Sequence, residues 1–192
     1  MKNRARGWIE ENKKHIVDLS DRVWEYAELG LVEEKSSRLL SDELEKGGFK
    51  VEMGVAGMPT AFVATWSNGK GPTIGLMGEY DALPGLSNNK VPHKEALRQD
   101  APGHGCGHNI HGVTAVSAAL AIKQAMEAGK IKGTVKMYGC PAEENYDGKV
   151  FMVRAGLFKG VDACLSHHPG SYNTAGLGSS TAINSVKFHY YG

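Results

Sequence analysis

Short apolar segments with the length of strands alternate with longer helical patterns along this chain, and this alternation limits the folds that it can adopt. The helical patterns cover residues 6–28, 33–46, 110–128 and 149–158, and the strand patterns cover residues 49–53, 60–66, 73–77, 134–138 and 161–165. Strands that alternate with helices through short turns are typical of α/β domains. The sequence therefore predicts an α/β fold with a largely parallel sheet, in which the turn at Ser67–Gly69 forms a hairpin-like arrangement.

Length, charge and hydropathy exclude several classes of protein. A chain of 192 residues suggests one domain, with at most the beginning of a second. Its net charge of +1, without any basic block, argues against nucleic acid as a partner. No apolar run approaches the roughly 20 residues that span a bilayer, and the charged stretch Met1–Lys14 lacks the apolar region of a signal peptide. We therefore expect a cytoplasmic protein that binds neither nucleic acid nor membrane.

The three cysteines are odd in number and widely spaced, so they do not form a disulfide framework. Cys140 ends an apolar run and Cys164 lies within one, which predicts structural, buried thiols. Cys106 differs because glycines and a histidine surround it. This is not a packing environment, and it makes Cys106 a candidate functional residue.

Chemically active side chains follow three of the predicted strands directly. These side chains are Glu79, Asp81, Glu143, Glu144, His167 and His168. Ligands of open α/β sheets bind at the carboxyl ends of the parallel strands, so we expect these side chains to converge on one crevice. Cys106 and His108 precede a predicted helix, whose N-terminal dipole favours a thiolate nearby.

Cysteine, histidine and glutamate are ligands of borderline-soft divalent metals, and a second glutamate beside a ligating one can carry a proton during hydrolysis. Each motif also has a simpler interpretation. Cys106 and His108 could form a glycine-rich turn with an incidental thiol, or a Cys–His nucleophilic pair. Glu143 and Glu144 could be a solvated acidic turn. The lack of a second paired motif argues against a zinc finger.

Two more histidines flank the Cys106 motif. His104 and His111 could donate hydrogen bonds to metal ligands without touching the metal themselves. Neither residue can be assigned further from the sequence alone.

Four motifs, Gly78–Ser87, Gly103–Asn109, Pro141–Glu144 and His168-Pro169, occur in the order found in the M20 metallopeptidase/amidohydrolase family. The chain resembles that family over essentially its whole length. The resemblance implies a three-layer domain with helices on both faces of the sheet, like the catalytic domain of zinc exopeptidases. It also implies a site for two divalent ions, zinc or manganese, that hydrolyses an amide.

The resemblance assigns roles to individual positions. It implies Glu143 as general base and Asp81 as the carboxylate that orients a ligating histidine. It favours His168 over His167, because the family pattern is a histidine followed by proline. The implied metal ligands are Cys106, His108, Glu144 and His168.

The implied substrate is the amide of an N-acyl amino acid, with p-aminobenzoyl-glutamate as the first choice. An aminoacylase or dipeptidase activity within the same family is the alternative. A catalytically inactive fragment that binds a metal or a protein partner is the alternative from another class. Metal analysis together with amide hydrolysis assays distinguishes these hypotheses.

The resemblance also predicts a domain organisation. Residues 1–180 are expected to form the N-terminal part of the catalytic domain, and residues 181–192 the truncated start of a lid and dimerisation domain. Relatives supply a last histidine ligand beyond this length. We therefore expect the chain alone to be inactive, and the family's lid to mediate a homodimer or heteromer.

Overall fold

A mixed sheet of five strands organises the part of the chain that the structure, a computed structural model, describes: residues 1–171, 174 and 188–191. The strands are β1 Lys50–Met53, β2 Phe62–Ser67, β3 Thr73–Glu79, β4 Thr134–Cys140 and β5 Ala163–Ser166. The helices are α1 Lys2–Glu11, α2 Lys13–Tyr26, α3 Glu34–Lys46, α4 His108–Gly129, α5 Glu143–Tyr146 and α6 Gly148–Arg154. A short 3-10 turn covers Val55–Gly57.

The strand order is β1-β2-β4-β3-β5. Strand β3 runs parallel to both β4 and β5, whereas β2 is antiparallel to β1 and to β4. Only β2 therefore runs against the other described strands, and the prediction of a largely parallel sheet is confirmed. The parallel strands β4, β3 and β5 lie side by side, so their carboxyl ends share one edge.

The predicted hairpin at Ser67–Gly69 is wrong, because β4 lies between β2 and β3. Asn68 sits at the turn, but its side chain accepts a hydrogen bond from the amide of Gly133 at 3.1 Å and donates one to the carbonyl of Ile131 at 2.8 Å. These contacts attach the turn to the chain that leads into β4. The turn residue thus fixes a long-range strand pairing that its local sequence does not indicate.

Alternation along the strands separates two apolar cores. On one face the buried side chains Phe62, Ala64, Leu76, Val135 and Met137 pack with α2, α3 and α4. On the other face the buried core contains Met58, Ala61, Val63, Tyr138, Cys140 and Met152, the last from α6. Because successive side chains of a strand point to opposite faces, each strand serves both cores. The three-layer architecture with helices on both faces is therefore confirmed.

The N-terminal helical pattern is divided in two, which corrects the single helix predicted over residues 6–28. Asn12 separates α1 from α2, and its side-chain amide donates to the carbonyl of Trp8 at 2.8 Å. Asparagine competes in this way for the helix's own backbone groups. Periodicity alone does not reveal the break, because the apolar spacing continues across it.

The two cysteines predicted to be buried differ. Cys140 is fully buried, as predicted, whereas Cys164 is exposed. Cys164 lies on β5, which pairs only with β3 among the described strands, and all four β5 residues are exposed. The prediction for Cys164 is wrong because an apolar run at the border of the described sheet is not covered by other described residues.

The start of a lid predicted for residues 181–192 lies mostly outside the described residues. Of this segment the structure describes residues 188–191, where Phe188, Tyr190 and Tyr191 are exposed. None of the helices described in residues 1–171 has the length and apolar character needed to cross a membrane.

Replacing Met152 with alanine should destabilise the protein, because Met152 is fully buried in the core beneath α6. We expect the free energy of unfolding to fall by about 2–5 kcal/mol in urea titrations. Val150→Ala, on the same helix at 53% exposure, is the matched control and should change it by less than about 1 kcal/mol. Equal losses in both variants would contradict the second core.

Candidate metal centre

The carboxyl ends of β3, β4 and β5 place their polar side chains at one edge of the sheet. Strand β3 ends at Glu79 and is followed by Asp81, and β4 ends at Cys140 before the turn into α5. Strand β5 ends at Ser166 and leads to His168. The expected convergence of the strand ends is therefore present.

Two glycines bring α4 to the same edge. Gly107 precedes the helix with φ of 77°, a left-handed conformation that L side chains rarely adopt. At Gly112 an added Cβ would lie 2.6 Å from the carbonyl oxygen of Glu79. Both positions therefore favour glycine, and the close approach places His108 and His111 of α4 beside the end of β3.

Asp81 holds two parts of the site with one buried carboxylate. Its Oδ1 lies 2.9 Å from Nδ1 of His108, and its Oδ2 accepts a hydrogen bond from the backbone amide of Glu144 at 2.9 Å. Burial lowers the pKa of His108, but the hydrogen bond and charge of Asp81 outweigh it, so the pKa is raised. When Nδ1 donates to Asp81, the lone pair of His108 is on Nε2 and faces the site.

The other ring nitrogen of His108 is buried without a hydrogen bond to any described residue, and so is Oε1 of Glu144. These two atoms are 3.9 Å apart. Oε2 of Glu79 lies 3.1 Å from His108 Nε2, and Oε2 of Glu143 lies 3.9 Å from it. A buried lone pair that faces several carboxylate oxygens fits a bound cation, which would satisfy all of them.

Cys106 and His168 lie next to this cluster. Sγ of Cys106 is 3.4 Å from Nε2 of His168, and the ligand atoms of Cys106, His108 and His168 all lie within 4.8 Å of one another. Nδ1 of His168 is 2.9 Å from the carbonyl oxygen of Pro169, to which it can donate. That hydrogen bond leaves the lone pair of His168 on Nε2, on the side of Cys106.

Burial and the charges of Glu144 and Glu143 raise the pKa of Cys106 to about 11. The thiol is therefore protonated near neutral pH unless a cation binds beside it. A metal ligand must be the thiolate, so metal binding at this position releases a proton.

The position of Glu79 is central, although sequence reasoning gave it no role. Its Oε2 accepts from Nδ1 of His111 at 2.8 Å, and its Oε1 pairs closely with Nζ of Lys149. Burial would raise the pKa of Glu79, but the hydrogen bond from His111 and the charge of Lys149 lower it to about 2. Nε2 of His111 in turn lies 3.0 Å from the hydroxyl of Ser166.

Comparison with known proteins agrees with this geometry. The sequence pattern of peptidase family M20/M25/M40 matches residues 75–189. The chain belongs to this family. It is 42% identical over 179 residues to a p-aminobenzoyl-glutamate hydrolase of Escherichia coli K12, covering 91% of this chain and 37% of that protein. It is 32% identical over 204 residues to the Xaa-Arg dipeptidase of Mus musculus, covering 100% of this chain and 43% of that protein.

Solved structures support the fold. A dinuclear metal-binding peptidase of family M20 from Bacillus subtilis superposes with a TM-score of 0.67 at 23% identity, over 81% of this chain and 42% of that chain. The chain thus spans less than half the length of these M20 relatives. The family resemblance and the fold class predicted from sequence are confirmed.

The structure brings together all six side chains to which the sequence analysis gave a role at the M20 site. These are Asp81, Cys106, His108, Glu143, Glu144 and His168. Of the two flanking histidines, His111 joins the site through Glu79, whereas Nε2 of His104 lies 3.0 Å from the carbonyl oxygen of Val23 on α2.

Glu79 and Lys149 are the residues of the cluster that sequence reasoning missed. Glu79 precedes Asp81 by two positions at the end of a strand, and this spacing could have indicated it, because residues two apart on a strand share a face. No sequence signal indicates Lys149. Its partner lies 70 positions away along the chain.

The pKa of Glu79 predicts a specific loss of stability in acid. A carboxyl whose pKa falls from 4.5 to about 2 on folding contributes stability above pH 4.5 that is lost as the pH falls towards 2. The difference corresponds to roughly 3 kcal/mol. In Glu79→Gln the free energy of unfolding should be lower at neutral pH and should fall less steeply between pH 4.5 and 2.

Urea titrations across this pH range measure the effect. Glu45→Gln, which changes an exposed carboxyl of α3, is the control and should keep the steep acid dependence. The same acid dependence in Glu79→Gln and in the parent chain would rule out the lowered pKa.

Proposed function

We propose that this chain forms the metal-binding part of an amidohydrolase that cleaves N-acyl amino acids, with p-aminobenzoyl-glutamate as the first candidate. The observation that carries the proposal is the pair of buried, unpartnered atoms His108 Nε2 and Glu144 Oε1, 3.9 Å apart. The relatives named for p-aminobenzoyl-glutamate hydrolysis and dipeptide cleavage support an amide substrate. The proposed metal ligands are Cys106, His108, Glu144 and His168.

The donor set suits a divalent metal of intermediate softness. Thiolate and imidazole favour zinc, while the carboxylates also accept manganese. A neighbouring fold is a dinuclear metal-binding peptidase, which supports two ions for the complete site. The carboxylates of Glu79 and Glu143 lie with His108 in a second group of ligand atoms within 4.8 Å of one another. They would surround the ligand cluster with additional negative charge.

When bound, the metal would polarise the amide carbonyl and acidify water. The chain's own residues would supply orientation and proton transfer. Asp81 would fix the tautomer of His108 through Nδ1, which keeps Nε2 available as a ligand. It would hold the backbone of Glu144 with its second oxygen.

Glu143 is the proposed proton carrier. Its side chain is 35% exposed, against 15% for Glu144, so it can reach a substrate in the crevice while its neighbour faces inward. Burial and the charge of Glu79 raise the pKa of Glu143. A carboxyl with a raised pKa is well suited to accept the proton of an attacking water and deliver it to the leaving nitrogen.

The domain organisation and assembly are further parts of the proposal. Residues 1–180 would belong to the catalytic domain, and residues 181–192 would begin a lid through which protomers associate as a homodimer or heteromer. The bacterial relative is named as one component of a multi-component hydrolase, which supports a heteromer. A cytoplasmic location would suit a small-molecule substrate of this kind. An aminoacylase or dipeptidase with the same site is the alternative within the family.

Replacing Cys106 with serine should abolish tight metal binding without unfolding the chain. Cobalt titrations followed by thiolate-to-metal absorption should show the band in the parent chain and its loss in Cys106→Ser. Because the pKa of Cys106 is about 11, the parent's affinity should rise roughly tenfold per pH unit near neutrality, and the variant should lose this contribution.

Cys164→Ser is the matched control, since Cys164 is exposed on β5. It should keep the absorption band and its pH dependence. His108→Ala should lose metal as Cys106→Ser does, with an unchanged far-ultraviolet helical signal. Full metal stoichiometry in both ligand variants would exclude the assigned site.

The adjacent glutamates should separate by role. Glu143→Gln should retain the metal but lose about 10²–10⁴-fold in kcat, because proton transfer contributes that much. Glu144→Gln should instead weaken metal binding. Rates with p-aminobenzoyl-glutamate and with dipeptides should be compared on this chain and on a version extended to the length of its relatives.

Three outcomes are informative here. Metal loss in Glu143→Gln with full rate in Glu144→Gln would exchange the two roles. Cleavage of dipeptides alone would favour the dipeptidase alternative. Metal binding without hydrolysis in either length of protein would favour a binding protein and refute the amidohydrolase.

A further inference from the structure

A buried carboxylate outside the metal cluster contacts the turn that carries both glutamates. Glu33, immediately before α3, is fully buried. Its Oε1 accepts a hydrogen bond from the backbone amide of Ala142 at 2.7 Å, and its Oε2 accepts one from the hydroxyl of Thr60 at 2.8 Å. Burying a carboxylate is unfavourable unless its oxygens find donors, so these two bonds define its position.

Ala142 needs such a contact because its backbone is strained. It has φ of 56° and is fully buried, although it is not glycine. An L residue in this left-handed conformation costs about 1–2 kcal/mol. Gly30 packs directly against it, since an added Cβ there would lie 2.9 Å from Cα of Ala142. The hydrogen bond to Glu33 therefore stabilises a backbone geometry that its local sequence does not favour.

The turn is held at two amides, one on each side of Glu143. Glu33 binds the amide of Ala142, and Asp81 binds the amide of Glu144. With both neighbouring amides fixed, the backbone direction at Glu143 is determined. Asp81 also contacts His108, whereas Glu33 has no hydrogen bond to a proposed metal ligand side chain among the described residues.

Glu33 is itself anchored to the opposite end of the sheet layer. Thr60, which donates to Glu33, receives at its own carbonyl a hydrogen bond from the hydroxyl of Tyr80 at 2.7 Å. Tyr80 is fully buried and lies next to Asp81 in the chain. The network thus connects the start of α3, the segment before β2 and the end of β3 to the turn after β4.

We propose that Glu33 is a positioning residue for Glu143 and Glu144, acting through the amide of Ala142. This rests on the proposed function, because the consequence is measured at the metal and in hydrolysis. Without the carboxylate acceptor, Ala142 would leave its strained conformation and the turn would rotate both glutamates away from His108. A residue that supports a metal ligand indirectly typically changes metal affinity or activity by 10–100-fold.

Three variants distinguish positioning from general stability. Glu33→Met keeps the length of the side chain but removes both acceptors. Glu33→Gln keeps an acceptor for Ala142 and offers a donor to Thr60. Thr60→Val keeps the shape of Thr60 and the bond between Glu33 and Ala142, but removes the hydroxyl. Both Glu33→Met and Thr60→Val should lower the unfolding temperature, so they form a pair matched for damage to the network.

Metal affinity should separate this pair. By cobalt titration at a temperature where every variant is folded, Glu33→Met should bind about 10–100-fold more weakly than the parent. Glu33→Gln and Thr60→Val should stay within about threefold of it. In the extended protein, kcat should fall in Glu33→Met with little change in KM. Equal affinities in Glu33→Met and Thr60→Val would overturn the proposal and make Glu33 purely structural.

Amide hydrogen exchange separates failure of this inference from failure of the proposed function. If the parent chain binds no metal, the proposed function fails, and protection of the amides of Ala142 and Glu144 then decides the role of Glu33. Loss of that protection in Glu33→Met alone would support the positioning role. Equal protection in Glu33→Met, Glu33→Gln and Thr60→Val would refute it.

Discussion

The carboxylate of Asp81 joins the elements that build the site. One oxygen meets His108 at the start of α4, and the other accepts from the backbone of Glu144 after β4. Both atoms lie in the interior, where an unpaired charge is costly and a paired one is strongly directional. Because Asp81 follows β3, which lies between β4 and β5, a single side chain sets the distance between a helix, a turn and the sheet edge.

Around this contact the charges are unbalanced in a way that suits a cation. Four carboxylates, from Glu79, Asp81, Glu143 and Glu144, face the imidazole of His108, while Lys149 pairs only with Glu79. The pKa values of two carboxyls move in opposite directions, since that of Glu79 is lowered and that of Glu143 is raised. Such separation allows one carboxyl to stay ionised while another exchanges protons.

Sequence reasoning located the site because strand ends and glycine turns are local signals. It predicted the parallel strands and the loops with Asp81, Cys106 and His168, since these depend on residues close together in the chain. It did not predict the position of β4 between β2 and β3 or the exposure of Cys164. It also gave no role to Glu33, whose contact to Ala142 spans 109 positions. Those features depend on which distant segments meet, and periodicity carries no information about that.

Adjacent glutamates with different surroundings require a backbone that is fixed in detail. Glu143 and Glu144 have the same side chain, so only the direction of each one can assign its role. That direction is set by the strained turn at Ala142, by the amide bond to Asp81, and by Gly148, where an added Cβ would lie 2.0 Å from the carbonyl oxygen of Pro141. The chemistry proposed for this edge of the sheet therefore depends on backbone hydrogen bonds as much as on the ligand side chains.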